Sequence, residues 1–78
     1  MPETARSLVL WTVYDHPKDY PDRYVARMFD VTAGKVRPTL ATIMSSDLEW
    51  LRAALREMHL TRLERSPEDD PVVLETWI

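Results

Sequence analysis

The residues best suited to chemistry lie in one short segment that begins at Asp15 and ends at Asp22. It holds an imidazole, an ammonium group, a phenol and three carboxylates, and two prolines stiffen it. His16 could act as a general acid or base if Asp19 or Asp22 oriented its ring inside a cleft. An enzyme or small-ligand site at His16 is therefore one hypothesis, although one histidine in an acidic loop is a weak sign of catalysis.

The same segment suits protein recognition better than catalysis. Prolines hold a loop in one shape, and such preorganisation lowers the entropy that binding costs. We therefore predict a non-catalytic interaction surface in this loop. Its side chains are Asp15, His16, Lys18, Asp19, Tyr20, Asp22 and Arg23. The alternative is a solvated connector whose aspartates cap its turns.

A second polar segment, residues 66–71, has the sequence SPEDDP. Its three consecutive carboxylates are those of Glu68, Asp69 and Asp70. Like charges so close repel one another, and the spacing differs from the alternating ligands of an EF-hand. They could meet a basic surface on a partner or on this chain. The candidate cations of this chain are Lys18, Arg23 and Arg27. For this segment taken alone, we favour a solvated turn that improves solubility.

No pattern indicates a metal, a cofactor or covalent catalysis. The chain has no cysteine, and its two histidines, His16 and His59, lack the spacing of metal ligands. A single glycine cannot form a glycine-rich phosphate loop. We therefore expect no metal and no cofactor, and we favour a non-catalytic protein over an enzyme.

Charge argues against nucleic-acid binding. The chain carries 10 Lys and Arg against 13 Asp and Glu, a formal charge of -3. Residues 66–78 hold four carboxylates and no Lys or Arg, which favours oriented pairing with a basic surface. A weaker alternative is nucleic-acid binding through a basic stripe. Its members would be Arg23, Arg27, Lys35 and Arg37.

The two polar segments must be positioned by a small α+β fold. We predict one domain over residues 1–78, with residues 1–6 disordered. β-Branched and aromatic residues predict strands at 7–14, 23–31, 39–44, 60–65 and 72–77. With one helix after the third strand, the order is β-β-(β)-α-β-β. We expect an antiparallel sheet of four or five strands with the helix packed on one face.

The helix is predicted to begin with a capping box at residues 46–49, in which the Ser46 hydroxyl accepts from the Glu49 amide. Apolar residues then recur at helical spacing. They are Leu48, Leu51, Leu55 and Met58. Trp50 falls at the margin of this stripe, and we expect it to pack as a lid on the core, with an exposed anchor as the alternative.

Size and composition bear on assembly and location. A 78-residue chain without disulfides buries a small core, and three Trp and three Tyr are residue types enriched at interfaces. A homodimer is therefore a candidate assembly, and aromatic residues that only fill the core are the alternative. No apolar run reaches the roughly 20 residues of a membrane span, and no signal-peptide cleavage site follows Arg6. We expect a cytoplasmic protein without a membrane partner.

Two segments together resemble a family of small uncharacterised bacterial proteins. They are YDHPKDYPD at residues 14–22 and SPEDDP at residues 66–71. The resemblance implies a bacterial, cytoplasmic protein with no known activity. No catalytic or binding residue can be carried over from it.

Overall fold

The computed structural model describes residues 8–78. The predicted disorder of residues 1–6 and the first residue of the 7–14 strand lie outside the described residues. The elements in chain order are β1 (Leu8–Asp15), β2 (Tyr24–Thr32), β3 (Lys35–Ser45), α1 (Leu48–Glu57), β4 (Arg62–Glu64) and β5 (Val73–Trp77). The predicted α+β class, the element order and the single helix on the sheet are confirmed, with five strands.

All neighbouring strands are antiparallel, in the order β3-β2-β1-β5-β4. The first strand of the chain is therefore the centre of the sheet, and the last strand pairs beside it. β1 has a strand on either side and is apolar on both faces, although α1 packs against only one of these faces.

β3 is longer than the predicted strand at residues 39–44. The turn before it has only two residues, Ala33 and Gly34, both with positive φ (55° and 78°). Such turns match the twist of a hairpin, so strand pairing starts at Lys35. Pro38 lies within β3, which tolerates it because β3 is an edge strand.

A bulge interrupts the pairing of β2 with β3 opposite Met28. The Thr39 hydroxyl donates to the Met28 carbonyl and accepts from the Ala41 amide, both over 3.1 Å. These two hydrogen bonds replace the ladder bonds that the bulge removes.

The core lies between α1 and one face of the sheet. Its buried members are Trp11, Val13, Ala26, Leu51, Leu55 and Trp77. Trp50 is 55% exposed, so its expected role as a lid is wrong. It lies about 100° around the helix from Leu51, which turns it away from the sheet. In the described part of the chain, no helix has the length and apolarity needed to cross a membrane.

The helix cap is Asp47 and not the predicted Ser46. The Asp47 carboxylate accepts from the amides of Glu49 (3.0 Å) and Trp50 (3.3 Å). Asp47 has the extended backbone of a capping residue, with φ -111° and ψ 110°. The helix therefore starts one residue later than a cap at Ser46 would place it.

We expect Asp47→Ala to lower the free energy of unfolding by about 1 kcal/mol, because two amides of the first turn lose their acceptor. Urea unfolding followed by circular dichroism measures this. Ser46→Ala is the matched control and should change the free energy by less than about 0.5 kcal/mol. A larger effect at Ser46 than at Asp47 would contradict the observed cap.

Candidate interaction site

The strand directions bring both predicted polar segments to one end of the sheet. One segment connects β1 to β2, and the other lies between β4 and β5. Tyr14 of β1 is opposite Val73 of β5 in an antiparallel pair, so the end of β1 lies beside the start of β5. The Asp15 amide donates to the Val72 carbonyl over 2.7 Å. We call residues 15–23 and 66–71 together the acidic end.

Backbone hydrogen bonds hold the first of these loops in two successive turns. The Tyr20 amide donates to the Pro17 carbonyl (2.9 Å), and the Arg23 amide donates to the Tyr20 carbonyl (3.2 Å). The His16 amide closes the loop on the Arg23 carbonyl (3.0 Å). Pro21 is the second residue of the second turn, where its fixed φ fits. The loop therefore has a defined conformation in the absence of a partner.

His16 packs on the helix side of the loop. Its Nδ1 lies 2.5 Å from an Asp15 carboxylate oxygen, and its ring meets the Tyr24 ring edge-on, with centroids 4.7 Å apart. Its partner is therefore neither Asp19 nor Asp22. The enzyme hypothesis requires a cleft at His16, and no pocket is found among residues 8–78. The geometry lends that hypothesis no support.

The loop also reaches the opposite face of the sheet. The Asp19 carboxylate forms an ion pair with the Arg27 guanidinium, which lies 5.9 Å above the Tyr14 ring centroid. Burial raises the pKa of Tyr14, although the charge of Arg27 acts in the other direction. Asp19 is therefore compensated within the chain. The loop side chains that stay exposed to solvent include Lys18, Tyr20, Asp22 and Arg23.

The carboxylates of residues 66–71 bind their own backbone and side chains. Asp69 accepts from the Ser66 amide (2.9 Å), and Asp70 accepts from the Val72 amide (3.0 Å). The Ser66 hydroxyl donates to Glu68, and together with the Glu68 amide it holds the pKa of Glu68 below its usual value. This capping is the geometry that the solvated-turn alternative predicts.

One cation contacts this segment through its backbone, because the Arg65 guanidinium donates to the Asp69 carbonyl over 2.8 Å. Within residues 8–78, no ion pair joins Glu68, Asp69 or Asp70 to a lysine or arginine. The candidate pairing with the chain's own cations is thus not formed. The acidic end carries six carboxylates, and the cations within it or paired with it are Lys18, Arg23 and Arg27, which leaves a net charge of -3, equal to that of the whole chain.

The four cations of the nucleic-acid alternative do not form one stripe. Arg27 lies on the sheet face opposite α1. Arg37 lies on the other face, because it is opposite Asp30 in the pairing of β3 with β2. Asp30 shares its face of β2 with Ala26 and Met28, which pack in the core. Lys35 and Arg37 also lie at the far end of β2 from Arg23. In the same described stretch, no group of three or more His, Asp or Glu side chains could hold a metal ion.

The polar cluster around Glu75 was not predicted from the sequence. Glu75 is 1% exposed, and its two carboxylate oxygens accept from Arg52 (2.8 and 3.1 Å), the Trp77 indole (2.9 Å) and Arg62 (3.4 Å). Burial alone would raise the pKa of Glu75, but the hydrogen bonds from Arg52 and Trp77 and the nearby arginine charges hold it below its usual value.

The Glu75 cluster has a structural role, because the ion pair between Arg52 and Glu75 connects α1 to β5. The bond to Glu75 raises the pKa of Arg52, so the pair stays ionised. The available signal was strand alternation, because Glu75 shares the inward face with Trp77 and an inward carboxylate needs a cation. Helical spacing alone puts Arg52 on the polar face of α1, but its long side chain reaches from the margin of that face to Glu75.

Comparison with known protein families, curated proteins and solved structures gives no match to this chain. The resemblance to small bacterial proteins therefore stays a prediction.

Proposed function

We propose that this chain is a non-catalytic protein-interaction module of the bacterial cytoplasm that binds a basic partner surface through its acidic end. The observation that carries the proposal is the joining of the two acidic loops at one end of the sheet. The net negative charge of this end comes from Glu68, Asp69 and Asp70, and the loop beside them adds the exposed Lys18, Tyr20 and Asp22 to the same surface. Complementary charge steers association and selects partners.

The loop geometry supports recognition by a preformed surface. Three backbone hydrogen bonds fix residues 16–23, so this loop would lose little conformational entropy on binding. Tyr20 stands exposed among the charges, and tyrosine is a residue type enriched where protein surfaces meet. A second copy is a poor occupant here, because two acidic ends would repel each other.

A photoreactive phenylalanine in place of Tyr20 tests the proposal in the cells that make the protein. We expect covalent adducts with a protein partner, identified by mass spectrometry. Asp22→Lys should lower the adduct yield about tenfold, because it puts a like charge against a basic partner. Asp22 is highly exposed and its nearest cation is 3.9 Å away, so this change should leave the fold intact.

Glu57→Lys is the matched control, since it makes the same charge change at the far end of α1. It should leave the adduct yield unchanged. The proposal fails if Tyr20 gives no adduct with a protein, or if both substitutions lower the yield equally.

A further inference from the structure

We propose that a second copy of this chain covers the sheet face opposite α1, which we call the open face. Two adjacent cross-strand rows on this face are entirely apolar. The first row is Leu8, Val31 and Val36, and the second is Leu10, Phe29 and Pro38. Leu8 and Val36 are 55% and 59% exposed. A contiguous apolar patch of this kind marks an interaction surface.

The charge of the open face fits a copy of itself. Strand alternation places one charged residue of β1, β2 and β3 on this face, Arg27, and Asp19 already neutralises it. Arg27 lies in a third cross-strand row, and the other two residues of that row are the uncharged Thr12 and Thr42. Interface cores are depleted of charge, and two neutral faces meet without the repulsion expected between two acidic ends.

The size of the open face is sufficient for a weak dimer. Strands spaced about 4.8 Å apart with a rise of about 3.3 Å per residue give this five-stranded face an area of about 500 Å². Two such faces would bury about 1,000 Å², the lower limit for a specific interface. We therefore expect a weak dimer whose population depends on protein concentration.

The sheet edges favour face-to-face packing over strand addition. β3 carries Pro38 and a bulge, and β4 at the other edge has three residues. A proline, a bulge and a very short strand each hinder an edge from pairing with a strand of another chain. Two twisted sheets stacked on their open faces would cross at about 30°, with both helices outside.

Sedimentation velocity from about 1 µM to about 500 µM tests the proposal. The weight-average sedimentation coefficient of the full chain should rise from the monomer value to the dimer value. Val36→Lys should raise the dissociation constant at least about tenfold, because it puts a charge into the apolar row. Val36 is exposed on an edge strand, and circular dichroism would confirm that the variant folds.

Trp50→Lys is the control, since it removes an equally exposed apolar side chain from the outer side of α1. It should leave the dissociation constant unchanged. A chain that stays monomeric to about 500 µM overturns the proposal, as does dissociation by Trp50→Lys but not by Val36→Lys. Asp22→Lys should leave the dimer intact, so failure here is distinct from failure of binding at the acidic end.

Discussion

Glu75→Gln should lower the free energy of unfolding by about 3 kcal/mol, the largest effect expected of a polar substitution in this protein. The amide keeps the size of the side chain but removes the charge that compensates Arg52 and Arg62. Breaking a buried pair is costly because the remaining partner stays desolvated without its counter-charge. Urea unfolding followed by circular dichroism measures the loss.

Glu49→Gln is the matched control for Glu75→Gln. Glu49 bonds the same Arg52 over 2.9 Å, but its side chain is 70% exposed. An exposed pair of this kind contributes less than about 0.5 kcal/mol. If the two substitutions cost the same, Glu75 is screened by water and its role as a buried anchor is wrong.

The pH dependence of unfolding checks the same carboxylate through its ionisation. Because the folded-state pKa of Glu75 lies below its ordinary value of 4.5, the ionised group stabilises the fold above that pH. This contribution is lost as the pH falls from about 4.5 through the folded-state pKa. The stability difference between the wild type and Glu75→Gln should therefore shrink over that range, and a constant difference would contradict the lowered pKa.

Trp77→Ala should leave the chain largely unfolded at room temperature. The indole is 2% exposed, lies opposite Trp11 in the sheet and donates to Glu75. Removing a buried tryptophan costs about 3–5 kcal/mol, which is most of the stability of a domain this small. Loss of the far-ultraviolet circular dichroism of the folded chain would show it.

Trp77→Phe separates the two contributions of the indole. It keeps an aromatic ring in the core and removes the N–H that Glu75 accepts. We expect a smaller loss, about 1–2 kcal/mol, because one buried acceptor loses a donor. A loss equal to that of Trp77→Ala would mean that the hydrogen bond, and not the packing, holds this end of β5.

The local elements could be predicted from the sequence because their signals are local. Strand alternation, the apolar stripe of the helix and Gly34 at a turn each depend on a few neighbouring residues. Details set by competing neighbours were missed. Asp47 and Ser46 are both good caps, and only the backbone geometry decides between them. The start of β3 depends on a two-residue turn whose first residue is an alanine with positive φ.

The site could be predicted as two segments but not as one surface. Whether residues 15–22 lie beside residues 66–71 depends on β5 pairing with β1, and strand order is not a local property of sequence. The side chains that His16 and Asp19 contact, Asp15 and Arg27, depend on the conformation of the loop, which strand alternation does not predict. Glu75 was missed because its partner Arg52 is 23 residues away in the chain.

The interrupted edge at Pro38 and Thr39 has a consequence for how far assembly can proceed. A regular edge would allow each added chain to present a new edge, so growth would continue into a fibre. Pro38 has no N–H to offer, and the bulge breaks the spacing of the donors beside it. Growth by strand addition is therefore disfavoured at this edge, so we expect the proposed dimer to remain a closed pair and not to extend into a fibre.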